Sequence, residues 1–523
     1  MVIRSIRILL TGLLIFVSVG SSRAQSVNIP LDHWVYDYLD RLETLGSYRG
    51  LLTTSYPITR TDLARILTHI DSTGAQNLSA TDLSLFEQIK GEFHEELESL
   101  HVASQSRYHE RHLMKYTESD YSVKIDAEFD QLLDVKRGDQ YSESERTSMT
   151  TLGVIVRGNF GDHLNVYMRA RNSLERGTDI VAETFDPRYG TPKTISGSNV
   201  YSDDAWAYLV YRYNWFQAEF GRDQLKWGPG KRGSLMISRE NPLFEILKFS
   251  FSFDKFRFIS FHGSLHSGAG AKYMAGHRVE VKLFPWLYVS GSETVIYGDR
   301  DIEMSYLNPV MPFHVAEHHL GDRDNNAMAF DMTIYPWRHH KIYTELLLDD
   351  FTTAENPFTY YGNKFAFLIG HQWADPFGLT DLNLSWEYTR IEPYVYTHKD
   401  SINTYQNYDR SIGHWLGPDS DDLCLKIDYR HNRDIQMGLT AERTRHGEGD
   451  LDRPHTPADG NRKKFLSGTV ETTWSYGFSI SDQVYRDIFI NLNYYFLRTG
   501  NLHRIAGNNS TDTNVSLQLK INW

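Results

Sequence analysis

The chain has 523 residues, 13% of them aromatic, and a formal net charge of -13. An acidic surface argues against nucleic acid as a partner, and the single cysteine, Cys424, excludes an internal disulfide. The aromatic content fits a membrane barrel, in which lipid-facing and lumen-facing residues alternate, and it fits a secreted all-β enzyme equally well.

Residues 1–24 are predicted to be a secretory signal peptide. A basic start, MVIRSIR, is followed by an apolar stretch over residues 8–20 and by the small-x-small sequence Ser22-Arg23-Ala24. The apolar stretch is too short for a transmembrane helix, which needs about 18 apolar residues, and no other segment is suitable. The sequence therefore argues against insertion through helices.

Residues 25–110 are predicted to form a small α-helical periplasmic domain. Three segments carry apolar stripes at helical spacing, and their expected capping residues are Asp32, Thr59 with Asp62, and Ser79 with Asp82. Gly46 is expected to end the first helix, and the third is expected to run from Leu83 to Leu100. The stretches 33–46 and 58–67 together resemble an S-layer homology module, which binds cell-wall polymer, although a packed periplasmic cap is the interpretation we favour.

From Tyr121 onward the hydrophobic period changes to two, which is typical of strands with one face in lipid. In residues 423–430 the predicted lipid-facing residues are Leu423, Leu425 and Ile427, and the predicted inward residues are Cys424, Lys426, Asp428 and Arg430. The last strand, 513–523, alternates in the same way and ends on Trp523, as outer-membrane barrels do. Residues 115–523 are therefore expected to form an outer-membrane β-barrel.

The connections between these strands are of two kinds. Short turns are predicted near residues 161–162, 214–215, 254–255, 285–286, 336–337, 376–377, 431–432 and 485–486. They alternate with long polar loops, the longest near 174–203, 225–244, 298–325, 391–420 and 445–463. With a first and a last strand added, this pattern predicts an all-β transmembrane barrel of about 18 antiparallel strands, with short periplasmic turns and long external loops.

Two motifs resemble catalytic or nucleotide-binding patterns. The glycines of residues 228–233 lack the spacing of a phosphate-binding loop, and we expect this loop to pack back into or over the barrel. The stretch from His314 to His318 matches the HxxEH zinc-peptidase pattern, but Pro309 and Pro312 precede it and no third ligand is evident. We interpret it as polar loop residues and expect no metal, no cofactor and no enzymatic activity.

The loop over residues 391–418 differs in kind, because it is dense in aromatic residues and is predicted to be external. Aromatic faces stack on sugar rings, while carboxylates and carboxamides bind hydroxyl groups. The candidate carbohydrate-binding residues are Tyr394, Tyr396, Tyr405, Tyr408, His414 and Trp415 of this loop, Asp419 directly after it, and Trp227 of the separate WGPG stretch. The same aromatic residues are equally compatible with a packed loop core or an aromatic girdle.

Four stretches together resemble the Wzi-type capsule-assembly family. They are WGPG at 227–230 with the following Ser238 and Asn241-Pro242, and residues 305–331, 344–351 and 413–423. The resemblance implies an 18-stranded outer-membrane barrel with a helical periplasmic bundle, acting as a lectin that holds capsular polysaccharide at the cell surface. It assigns no sugar-contacting residue on this chain.

The leading hypothesis is a non-catalytic outer-membrane lectin or assembly factor that binds exported capsular polysaccharide or exopolysaccharide and helps attach it to the cell. The alternative is an outer-membrane porin or oligosaccharide channel with an S-layer-homology-like periplasmic module. Besides the polysaccharide, the expected partners are outer-membrane lipid and either peptidoglycan or the polysaccharide export machinery. We expect a monomer that binds no nucleic acid.

Overall fold

A computed structural model describes residues 27–49, 54–75, 78–102, 110–141, 144–177, 191–196, 199–268 and 270–522 of the protein. The predicted signal peptide lies outside these residues. No helix in the described part of the chain is both long enough and apolar enough to cross a membrane.

Eighteen long antiparallel strands among the described residues close into a barrel, which confirms the predicted fold class. The strands are β1 (Tyr121–Gly138), β2 (Glu145–Phe160), β3 (Leu164–Gly177), β4 (Asn199–Tyr213), β5 (Phe216–Asp223), β6 (Phe244–Ser252), β7 (Phe256–Leu265), β8 (Lys272–Phe284), β9 (Leu287–Gly298), β10 (Asn325–Ile334), β11 (His340–Asp350), β12 (Lys364–Ala374), β13 (Leu382–Ile391), β14 (Ser420–Arg430), β15 (Ile435–His446), β16 (Glu471–Tyr485), β17 (Ile488–Gly500) and β18 (Ser510–Asn522). The last strand pairs with the first, with Leu517 opposite Leu133, so every backbone ladder is closed.

Short strands and turns accompany this barrel. The short strands are Ser55–Tyr56, Met114–Thr117, Thr191–Ser196, Lys226–Trp227, Gln406–Asn407 and Arg410–Ser411. The 3-10 turns that lie wholly within the described residues are Pro376–Gly378, Ser401–Asn403, Pro457–Asp459 and Leu502–Arg504. All eight predicted short turns join consecutive strands at one end of the barrel, which we call the short-turn end.

The predicted faces of β14 are confirmed. Leu425 is 48% exposed on the outer surface, and Ile427 lies on the same face. Cys424 pairs with Glu387 on β13, and Glu387 accepts hydrogen bonds from backbone N–H groups inside the barrel, so the residues that alternate with Leu425 point into the lumen.

The described part of the N-terminal region contains four helices, α1 (Val35–Leu45), α2 (Arg60–Thr73), α3 (Ala80–Glu92) and α4 (His94–Ser99). The cap of α2 is confirmed, because the side chain of Thr59 accepts a hydrogen bond from the backbone N–H of Asp62 at 3.1 Å. Ser79 caps α3 in the same way at 2.9 Å. Gly46 ends α1 with a φ of 79°.

Two details of the predicted helices are wrong. The cap of α1 is Trp34 without a side-chain hydrogen bond, because the carboxylate of Asp32 instead lies 3.3 Å from Arg169 on β3. The predicted third helix is broken at Phe93, whose backbone leaves the helical conformation, so that α3 and α4 are separate.

The helices close the short-turn end of the barrel. The guanidinium of Arg41 on α1 lies 2.8 Å from Asp375, which follows β12 at that end. Lys341 on β11 donates to Asp40 on α1 at 2.6 Å, and Ala374 on β12 packs in the apolar core of the helices. The helical domain is thus joined to the barrel wall by buried charge pairs.

Short turns face the periplasm in bacterial outer-membrane barrels, so we expect the helical domain to lie there. A protease added to intact cells should then leave residues 27–102 uncut, while the external loops remain accessible. Mass spectrometry of the proteolytic fragments identifies the cleaved positions. Ready cleavage near residue 75 from outside the cell would contradict the topology.

Candidate functional site

The lumen is partly filled by the loop between β5 and β6. Its short strand Lys226–Trp227 pairs with Ser55–Tyr56 of the helical domain. The carboxylate of Glu345 on β11 accepts hydrogen bonds from the backbone N–H groups of Gly230 at 2.8 Å and Leu235 at 2.7 Å. The expectation that this glycine-containing loop packs back into the barrel is therefore confirmed.

The loop between β13 and β14 packs on the first loop. The hydroxyl of Tyr396 donates to the carbonyl of Leu235 at 2.6 Å, and the hydroxyl of Tyr405 donates to the carbonyl of Met236 at 2.9 Å. The two tyrosine rings stack with centroids 5.4 Å apart. Together with Trp227 they belong to one apolar core, and we call these two loops the lumen plug.

Most of the sequence-predicted site residues build this plug or its surroundings. The buried ones are Trp227, Tyr396, Tyr405, His414 and Asp419. Burial, with a smaller contribution from Arg232, lowers the pKa of His414 to about 3, so its ring is neutral. Asp419 accepts hydrogen bonds from the backbone N–H groups of Leu466 at 2.7 Å and Ser467 at 3.0 Å, which anchors the loop between β15 and β16.

The other three candidates remain accessible. Tyr394 and Tyr408 are half-buried, and Tyr408 stacks on His266 with ring centroids 4.0 Å apart. Trp415 is 41% exposed, and the guanidinium of Arg232 lies 5.7 Å from its ring centroid. Because Arg232 also donates to Glu442 on β15 at 2.8 Å, Trp415 stands where the plug meets the inner wall at β15.

The inner wall beyond β15 is polar and only half-buried. Ser481 on β16 donates to Asn491 on β17 at 2.7 Å, and Asn491 donates to Gln518 on β18 at 3.1 Å. Gln518 in turn donates to Asp130 on β1 at 2.7 Å. This side-chain ladder, which we call the polar wall, has the hydroxyl and amide groups that sugars or water bind.

A second group of accessible aromatic rings was missed by the sequence analysis, apart from Tyr394. The external aromatic cluster consists of Tyr360, Tyr361, Tyr394 and His455. Tyr361 stacks on His455 with centroids 3.7 Å apart, and Tyr394 meets the edge of His455 at 5.2 Å. The rings come from three different loops, so no single stretch of sequence indicates the cluster.

The described residues contain no group of three or more His, Cys, Asp or Glu side chains arranged to hold a metal ion. His314 and His318 do lie one turn apart on a helix, with ring centroids 4.3 Å apart, while Glu317 is turned inward and buried. The HxxEH stretch therefore does not present its three side chains toward one common point.

The family comparison decides the identity of the barrel. The family model "Capsule assembly protein Wzi" matches residues 119–514, which is most of the chain. The chain belongs to this Wzi family. The match extends from just before β1 into β18, and the predicted family and outer-membrane location are confirmed.

Comparison with solved structures agrees with the Wzi fold. The Escherichia coli Wzi structure, described as an outer-membrane protein involved in group 1 capsule assembly and a carbohydrate-binding β-barrel, aligns with a TM-score of 0.61 at 15% identity, covering 95% of this chain and 99% of that one. OpdQ of Pseudomonas aeruginosa aligns with a TM-score of 0.45 at 9% identity, covering 77% of this chain and 98% of that one. A comparison with curated protein sequences gives no match.

Proposed function

We propose that this protein binds exported capsular polysaccharide or exopolysaccharide at the cell surface and helps attach it there, without catalysing a reaction. The observation that carries the proposal is the Wzi family match over residues 119–514. The carbohydrate binding stated for the E. coli structure supports it. The accessible aromatic side chains of the long loops supply rings that can stack on sugars.

We propose two contact regions for the polymer. Trp415 offers an accessible ring beside the charged pair of Arg232 and Glu442, next to the polar wall. The external aromatic cluster offers further rings where three loops meet. Rings stack on the C–H faces of sugars, and neighbouring polar groups fix their orientation by hydrogen bonds. The buried candidates are assigned the supporting role of holding the loops.

Replacing Trp415 or Tyr361 with alanine should weaken polymer binding. An exposed stacking ring contributes on the order of 1 kcal/mol or more, so each single variant is expected to lose about tenfold in affinity. Retention of polymer on cells that carry each variant, together with the affinity of the purified protein, measures the effect.

Trp215→Ala is a matched control, because Trp215 is also exposed but lies at the short-turn end. Barrel formation in every variant is checked by the shift of its electrophoretic mobility on heating. If folded Trp415→Ala and Tyr361→Ala proteins, and the double variant, hold polymer as well as the parent, these rings are not the binding site.

The channel hypothesis is the second candidate, and the half-buried polar wall is the observation that favours it. The lumen plug and the helices oppose it, because they occupy the other side of the lumen and its short-turn end. Conductance across a planar bilayer distinguishes the two functions. A parent protein that conducts ions and binds no polymer would favour the channel.

We also propose the domain organisation and remaining partners expected from the sequence. Residues 25–110 would act as the periplasmic module and residues 115–523 as the barrel of a monomer. The buried pairs between Lys341 and α1 support a module that stays docked on the barrel. Peptidoglycan or the polysaccharide export machinery would meet its periplasmic surface.

A further inference from the structure

The loop between β9 and β10 folds against the outer side of the barrel wall. It contains the helices α5 (Met304–Leu307) and α6 (Phe313–Leu320). The hydroxyl of Thr294 on β9 lies 3.1 Å from that of Tyr405 in the lumen plug, so Thr294 points inward. Its neighbours Glu293 and Val295 therefore point to the outer face, because strand side chains alternate.

The contacts of α6 are made with these outward residues. The carboxylate of Glu293 accepts hydrogen bonds from the backbone N–H groups of Phe313 at 2.9 Å and His314 at 2.7 Å. The ring of His277 on β8, which pairs with Glu293, lies 2.9 Å from the same carboxylate. An apolar core joins the wall to the two helices, and its members are Ala275, Val295, Tyr297, Tyr306, Phe313 and Ala316.

The position of Glu293 along β9 places this contact at membrane depth. Strand β9 begins at Leu287, next to Trp286, which is exposed beside Phe284 at the short-turn end. Six residues of a tilted strand rise by about 15 Å, and the apolar band of an outer-membrane barrel is about 25 Å tall. Glu293 therefore lies inside the band, where an uncovered charge facing lipid would be costly.

The opposite surface of the loop is exposed and largely apolar in its middle, while its exposed charged residues, Asp299, Asp301, Asp322 and Arg323, lie at the two ends. Its exposed large apolar residues are Ile302, Met304, Leu307, Val310 and Val315, with Val310 the most exposed at 77%. On the neighbouring strand β10, Phe330 is also exposed on the outer face, so apolar surface continues from the barrel wall toward the loop. A surface of this kind is stabilised by lipid and not by water.

We propose that residues 302–315 are seated in the outer leaflet of the membrane, with Met304, Val310 and Val315 in contact with lipid acyl chains. The loop then covers the polar outward residues Glu293 and His277 and replaces them with an apolar surface. The occupant of this surface is lipid, because the exposed apolar face continues the lipid-facing wall at a depth inside the apolar band. This inference does not depend on polysaccharide binding.

The test measures whether a single fluorescent label on the loop is exposed to lipid or to water. In a Cys424→Ala background, which removes the only native cysteine, Val310→Cys is labelled with a polarity-sensitive dye, and the full chain is reconstituted into phosphatidylethanolamine–phosphatidylglycerol vesicles. Leu425→Cys serves as the lipid-facing control and Thr353→Cys, in the exposed β11–β12 loop, as the aqueous control. Quenching is measured with nitroxide-labelled lipids and with a water-soluble quencher.

The label at 310 should be quenched by nitroxide lipid to about the same extent as the label at 425, and protected from the soluble quencher. A label at 310 that behaves like the one at 353 would overturn the proposal. So would efficient cross-linking of two Val310→Cys chains by a short bismaleimide, since the surface would then cover a second copy. Met304→Cys, at a position 73% exposed, provides the same readout if the first variant does not assemble.

Discussion

Replacing Arg41 with alanine is expected to release the helical domain from the barrel. The guanidinium of Arg41 lies 2.9 Å from Asp82 on α3 and 2.8 Å from Asp375 at the short-turn end, and it is 5% exposed. Removing one partner of a buried ion pair leaves the other charge uncompensated, at a cost of about 3–5 kcal/mol. Limited proteolysis of the purified protein should therefore cut the helices while the barrel stays resistant.

Arg65→Ala is the matched control for this variant. Arg65 also lies on the helical domain, but its side chain is half-exposed and its ion pair with Asp62 spans one helical turn at 3.3 Å. Exposed pairs of this kind contribute about 0–1 kcal/mol, so proteolysis should be unchanged. Equal protease resistance of Arg41→Ala and the parent would mean that Arg41 does not hold the domain in place.

Replacing Leu425 with lysine is expected to impair assembly of the barrel. Leu425 points outward from β14, and a lysine on the lipid face costs about 2–4 kcal/mol near the bilayer midplane. The fraction of protein with heat-modifiable mobility in the outer membrane measures assembly. Its loss should be accompanied by degradation of the unassembled chain.

Ser516→Lys provides the control on the inward face. Ser516 pairs with Asp134 of β1 on the same inner face as the polar wall, where a half-buried lysine gains a carboxylate neighbour and water. This variant should assemble normally. A barrel that accepts lysine at 425 and rejects it at 516 would require the opposite register.

The barrel could be predicted from the sequence because the alternation of apolar and polar residues along each strand shows which face meets lipid and which faces the lumen. Alternation in residues 423–430 identifies both faces of β14, and short turns identify the strand pairs without knowledge of distant contacts. The capping residues Thr59 and Ser79 were equally readable, since their hydrogen bonds are local. Asp32 was not, because its partner Arg169 lies on a distant strand.

The candidate site was less predictable, because aromatic density does not tell which way a loop folds. Tyr396 and Tyr405 are buried in the plug, where their hydroxyls donate to carbonyl groups of residues more than 160 positions earlier in the chain. The external aromatic cluster combines three loops for the same reason. One local feature of the sequence could have shown the fold of the β9–β10 loop. Glu293 interrupts the apolar outer face of β9, which indicates that another segment covers its carboxylate.

Binding of exported polysaccharide is tested most directly by equilibrium binding of the purified full chain to the capsular polysaccharide or exopolysaccharide of its own strain. We expect saturable binding that free polymer competes away, with about tenfold weaker binding for Trp415→Ala and unchanged binding for Trp215→Ala. Absence of binding by a folded, heat-modifiable parent protein to any polymer that its strain exports would contradict the account.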